Sequence, residues 1–257
     1  MADLVMTAMV TGASAGLGAE FCRPLAEHCD VIIGVARRDD RLAELAEQLP
    51  EVEFHGVCAD LDSIEGVARV MEALRQKGPV EYLVNNDGFS TFGYFTELPI
   101  EPQRGMVSLH IDATITLCRA AIPFMRERGG GHIINVSSLG AFLPGKGLAV
   151  YGGTKAFLLY YSQALQAELA GSGIEVQALC PGYIHTEFHA EMQQQGFDKN
   201  RIPEEMWMTA GEVVSASLDA LGRGQVVVVP GEGNRALAAA GLRAQLDGLD
   251  PVSADAE

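Results

Sequence analysis

The chain has 257 residues, a formal net charge of −16, 48% hydrophobic residues and 20% charged ones. This length suits one ordinary domain that buries its own core without staples, and the composition is that of a soluble globular protein. So large an acidic excess argues against nucleic acid or an anionic membrane as partner, since either requires basic patches.

The first apolar run, Leu4 to Val10, reads as a buried strand, and Gly12, Gly16 and Gly18 after it read as a turn into a helix starting near Leu17. Glycines suit a sharp turn that lets a pyrophosphate approach the backbone, where free N–H groups and the positive helix end face the phosphates. The spacing Gly-x-x-x-Gly-x-Gly differs from the Gly-x-Gly-x-x-Gly dinucleotide fingerprint, so its place directly after a strand carries the argument. A second run, Val31 to Ala36, ends in Arg37 and Arg38 with no acidic residue before them. At such a strand end an acidic side chain would accept from a free ribose 2′-hydroxyl, whereas guanidinium groups suit a 2′-phosphate. NADP(H) is therefore expected over NAD(H). Asp60 follows a third run, Val52 to Cys58, and is placed to meet the adenine edge.

Further apolar runs at 80–84, 132–136, 174–180 and 225–229 alternate with helical patterns. The alternation predicts an α/β fold: one doubly wound, Rossmann-type parallel sheet of about seven strands with helices on both faces. Ligands bind such a sheet at the carboxyl ends of its strands, where the strand order reverses. Ser138 lies 13 residues before Tyr151, which begins a Tyr-x-x-x-Lys unit ending at Lys155. On a helix Tyr151 and Lys155 share a face one turn apart, and the ammonium is expected to lower the phenol pKa from about 10 towards neutrality. A phenol so tuned exchanges a proton with an alcohol or carbonyl oxygen, which the Ser138 hydroxyl could hold.

Taken together, Thr11-Gly12-x-x-x-Gly16-x-Gly18, Asn85-Asn86-Asp87-Gly88, Ser138, Tyr151-x-x-x-Lys155 and Pro181-Gly182-x-x-x-Thr186 resemble the short-chain dehydrogenase/reductase family in its single-domain form. The likeness covers about Leu4 to Leu237, and later runs resemble a broad bacterial branch of generically assigned reductases. The resemblance implies that Gly12, Ser14, Gly16, Leu17 and Gly18 cradle the pyrophosphate, that Arg37 and Arg38 read the 2′-phosphate, and that Asp60 and Leu61 flank the adenine. By the same likeness Asn86 supports the adenosine side, and Ile184 and Thr186, after Pro181 and Gly182, hold the nicotinamide carboxamide. Tyr151 is implied as general acid or base, Lys155 as its tuner and ribose ligand, and Ser138 as the group polarising a substrate carbonyl. The implied activity is NADP(H)-dependent interconversion of a carbonyl and an alcohol.

Two positions depart from the family pattern. Asp87 replaces the alanine of Asn-Asn-Ala-Gly, and His110, 13 residues before Pro123, stands where the family has a water-holding asparagine. One reading pairs Asp87 with His110, the carboxylate raising the imidazole pKa, so that His110 joins a proton path through Lys155. A second has His110 merely filling the asparagine volume while Asp87 meets a ribose hydroxyl of the coenzyme. A third has both changes impairing turnover, leaving a dinucleotide-binding regulatory or weakly active protein.

No run approaches the 18 or so apolar residues of a membrane span, and the first residues lack a signal pattern. Five scattered cysteines without Cys-x-x-Cys read as reduced thiols of a cytoplasmic protein. No metal is expected, since His185 and His189 lack the accompanying glutamate of a zinc motif. Residues 1–237 are expected to form one dinucleotide-binding and catalytic domain, with a lid at about 186–208 bearing Phe188, Met192, Phe197, Met206 and Trp207. Those apolar side chains either face a medium or bulky apolar carbonyl substrate or pack the lid onto the body. Residues 238–257 read as a C-terminal helix, already begun at Arg235, and a disordered tail from Asp250. The family likeness further implies a homodimer or homotetramer paired through the helices that carry His110 and Tyr151.

Overall fold

Continuous apolar runs with buried neighbours on both faces can only be central strands of a covered sheet. In the computed structural model, which describes residues 5–194 and 196–249, these runs become β1 (Thr7–Thr11), β2 (Val31–Ala36), β3 (Glu53–Cys58), β4 (Tyr82–Asn85), β5 (Gly131–Val136) and β6 (Ile174–Leu179). Two further strands, β7 (Tyr183–Ile184) and β8 (Trp207–Met208), pair with each other, and β9 (Val227–Val228) completes the main sheet. The seven-stranded sheet is parallel, in the order β3-β2-β1-β4-β5-β6-β9, with Val10 opposite both Gly34 and Val84. Every residue of β1 and β2 is buried, whereas the edge strand β3 is partly exposed and alternates with the polar His55. The expected doubly wound fold is thus observed.

Helices cover both faces. On one side α1 (Gly16–Ala26), α2 (Asp39–Gln48) and α8 (Ala210–Ala220) bury Phe21, Leu25, Leu42 and Val213 against β1 and β2. On the other, α3 (Ile64–Lys77), α5 (Thr114–Arg128) and α6 (Ala149–Glu168) bury Val70, Leu74, Leu117, Met125 and Leu165. Before α5, α4 (Ile100–Val107) runs into a π-helical turn over Ser108–Ala113, a wider coil that often marks a functional position. His110 sits in that turn.

The chain beyond β6 departs from strand–helix alternation. The excursion between β7 and β8 contains α7 (Glu187–Gln194), and the pairing of Tyr183 with Trp207 and of Ile184 with Met208 closes its base. The last helix, α9 (Glu232–Asp247), starts before Arg235 and docks through Asn234, Ala238 and Gly241. The tail expected to be disordered, Asp250 to Glu257, lies outside the described residues.

Candidate active site

The strand order reverses between β1 and β4, which run out side by side at their carboxyl ends. At that crevice a cavity of about 510 Å³ opens, and almost every residue singled out from the sequence lines it. Gly12, Ser14, Gly16 and Leu17 come from the turn after β1, Arg37 and Arg38 from the end of β2, and Asn86 and Asp87 from the end of β4. Ser138 follows β5, Tyr151 and Lys155 project from α6, and Pro181, Gly182, Ile184 and Thr186 follow β6.

Two glycines of the turn occupy left-handed backbone, Gly12 at φ +68° and Gly16 at φ +55°, which a side chain would strain. Gly18 is needed for another reason: a Cβ there would lie 2.2 Å from Gly12 O and 2.7 Å from Asn86 Nδ2. It lines no cavity and instead lets α1 pack onto the turn. Helix α1 has neither a side-chain cap nor an acidic residue in its first turn, so its free N–H groups face the cavity unopposed. A glycine-built cradle at a bare helix N-terminus fits a dinucleotide diphosphate, and the two arginines could hold a further phosphate.

Thr11 organises the crossing, although the sequence argument gave it no role. Its Oγ1 accepts from the N–H groups of Asn86 and Asp87, each at 2.9 Å, and the Asn86 amide donates to Thr11 O at 2.8 Å. A hydroxyl ending a strand beside Asn-Asn is the signal that could have marked it. Asp60 and Leu61 are not brought to the cavity: Asp60 Oδ1 accepts from Asp62 N–H at 3.1 Å, and Leu61 is buried in the core.

On the opposite side Lys155 Nζ donates to Val136 O at 2.9 Å, and Ser137 Oγ donates to Lys155 O at 2.7 Å, fixing α6 against β5. The Lys155 ammonium stands 5.8 Å from the centre of the Tyr151 ring. The expected acidified phenol is not found. Burial pushes the Tyr151 hydroxyl up to about 12, because removing a phenolate from water outweighs the opposing hydrogen bond with Ser138. Burial also lowers the Lys155 ammonium to about 8, opposed by the Asp87 carboxylate.

Of the three readings of Asp87 and His110, the one that pairs them is not what the structure shows. His110 Nδ1 lies 2.8 Å from Thr154 Oγ1, and its Nε2 accepts from Phe89 N–H at 3.3 Å. The Thr154 hydroxyl donates to Tyr151 O at 2.8 Å, so it can only accept from the imidazole, which fixes the proton on Nδ1. Both ring nitrogens are used, and none of their partners is a carboxylate. The imidazole pKa falls well below its ordinary value instead of rising, first through burial and then through the Lys155 charge. His110 does not line the cavity but packs edge-on behind Tyr151, with ring centres 6.1 Å apart. Asp87 does line it; burial raises its carboxyl pKa, and Arg37 is the main opposing charge. Thr154, three residues after Tyr151 on the same helix face, was overlooked in the sequence.

Leu139, Leu143, Leu148, Phe188, Met192 and Phe197 are among the apolar side chains that line the same cavity. The Tyr151 and Phe188 ring centres are 6.0 Å apart, which places α7 next to the Tyr151 ring.

Residues 6–196 match the short chain dehydrogenase family. A Haemophilus influenzae protein named "Probable NADP-dependent dehydrogenase" is 35% identical over 200 residues, 72% of this chain and 76% of its own. Among solved structures, a short-chain dehydrogenase from Sphingobium yanoikuyae in complex with NADPH superposes with a TM-score of 0.82 at 34% identity, covering 98% of each chain. An alcohol dehydrogenase from Comamonas testosteroni described as specific for bulky-bulky ketones gives a TM-score of 0.78 at 31% identity, covering 99% of this chain and 98% of its own.

Proposed function

This chain belongs to the short-chain dehydrogenase family of oxidoreductases, and on that premise we propose that it is an NADP(H)-dependent carbonyl reductase, reversibly an alcohol dehydrogenase, acting on uncharged, bulky apolar substrates. The observation that carries the reading is the convergence of Ser138, Tyr151 and Lys155 on the same cavity as the glycine cradle and Arg37–Arg38. When bound, the reduced coenzyme supplies hydride to the carbonyl carbon. Gly12, Ser14, Gly16 and Leu17 would hold its diphosphate, Arg38 with Ser14 its 2′-phosphate, and Ile184 and Thr186 its carboxamide end. The names of the Haemophilus and Sphingobium proteins support NADP(H) for this chain as well.

In reduction the Ser138 hydroxyl positions the carbonyl oxygen and Tyr151 gives it a proton. A phenol held up to about 12 is fully protonated at neutral pH, and an alkoxide is a much stronger base than a phenolate, so the transfer runs downhill. Lys155, anchored to Val136 O, offsets the phenolate left behind. Leu143, Leu148, Phe188 and Met192 favour an uncharged apolar substrate and exclude water from the transfer. The description of the Comamonas enzyme supports the same substrate class. A dimer or tetramer paired through α6 and the helical stretch of His110 that continues into α5 belongs to this reading, and the exposed Ile115 and Tyr160 supply apolar area there.

The test is loss of the reduced-nicotinamide absorbance band with a panel of bulky aryl and alkyl ketones, using each coenzyme. Turnover with NADPH is expected, and Tyr151→Phe should lower kcat about 10²- to 10⁴-fold while still binding NADPH. Intact turnover in that variant would overturn the mechanism. A purely regulatory dinucleotide-binding role is not favoured, since it leaves the joint presence of Ser138, Tyr151 and Lys155 without a purpose.

A further inference from the structure

Arg38 already has an anion. Its Nε and Nη2 donate to Ser14 Oγ at 3.2 and 3.1 Å, while Nη1 donates to Glu187 Oε2 at 3.0 Å. Ser14 belongs to the glycine turn and Glu187 is the first residue of α7, so one guanidinium bridges two walls of the cavity that all three residues line. Among the described residues Arg38 is the only ion-pair partner of Glu187.

We propose that Glu187 is a coenzyme-specificity residue whose carboxylate competes with the 2′-phosphate of NADP(H) for Arg38. The proposal rests on the reading that Arg38 and Ser14 receive that phosphate. One guanidinium cannot neutralise both a carboxylate and a phosphate dianion. A 2′-phosphate must therefore displace Glu187 or bind beside its negative charge. A coenzyme with a plain 2′-hydroxyl brings no second anion and leaves the ion pair undisturbed. Glu187 thus weakens NADP(H) selectively and narrows the preference set by the two arginines. Both partners are about half exposed, with side-chain exposures of 45% and 55%, so the effect is screened and modest.

Dissociation constants for NADPH, NADH and 2′,5′-ADP, measured by nicotinamide fluorescence and calorimetry, test this in the full-length protein. Glu187→Gln keeps the length and an acceptor oxygen but removes the charge. It is expected to tighten NADPH and 2′,5′-ADP about fivefold and to leave NADH within about twofold. In an Arg38→Leu background the same substitution should change nothing, because the competition has lost its object. Equal changes for all three ligands, no change, weaker NADPH binding, or an effect that persists without Arg38 would each overturn the proposal. Failure of the coenzyme reading itself shows separately, as an unsubstituted protein that binds NADH at least as tightly as NADPH.

Discussion

Acid stability offers a direct measure of the His110 environment. The imidazole is 1% exposed, accepts a backbone N–H at Nε2 and has its pKa pushed well below the ordinary value by burial and by Lys155. Protonating Nε2 would set an N–H against the Phe89 N–H and add a cation beside the Lys155 ammonium. The folded protein thus keeps His110 neutral at a pH where the unfolded chain, with an imidazole pKa of about 6.5, takes up a proton. Where the unfolded state binds more protons, stability rises with pH, so this residue costs stability as pH falls below about 6.5. The cost continues to grow until the folded-state pKa is reached. Between pH 7.5 and 5.5 it amounts to about 1.4 kcal/mol. Urea unfolding at several pH values, for the parent and for His110→Asn, isolates the contribution: the carboxylates are common to both proteins, so only the difference in slope is read. The variant should lose about 1.4 kcal/mol less than the parent across that interval, whatever its constant offset in stability. Parallel curves would show that His110 is not held neutral, and would refute the assignment of its hydrogen bonds.

Gly18→Ala should destabilise the protein by about 1–3 kcal/mol and weaken coenzyme binding, since its Cβ would fall 2.2 Å from Gly12 O; an unchanged Tm would contradict the packing described. On the proposed mechanism alcohol oxidation uses the Tyr151 phenolate, and with the phenol held up to about 12 its rate should climb from about pH 6 to about pH 7.5 at saturating NADP⁺, below the range in which Lys155 loses its charge, while ketone reduction shows no such rise. A flat oxidation profile over that range would show that the phenol is ionised more easily than its burial dictates.

What the sequence determined by itself was whatever depends on order along the chain. Runs such as Val31 to Ala36 announce buried parallel strands because only a sheet covered on both faces tolerates them, and the strand–helix alternation then fixes the winding. Ser138, Tyr151, Lys155 and the glycine turn were legible for the same reason, since each follows a strand end or lies one helical turn from its partner. Electrostatics and cross-chain pairing were not legible. Proximity in sequence suggested that Lys155 would acidify Tyr151, but desolvation depends on how much protein surrounds the phenol, and that is set by β5, α6 and α7 together. Two departures in one neighbourhood suggested an Asp87–His110 pair, yet the π-helical turn aims the ring at Thr154 and Phe89. Glu187, 149 positions from Arg38, meets it only because the β7–β8 pairing folds α7 back over the cradle. Short-range order selects the elements and their motifs, while burial and contacts between distant segments are properties of the packed whole and decide how those motifs are charged and paired.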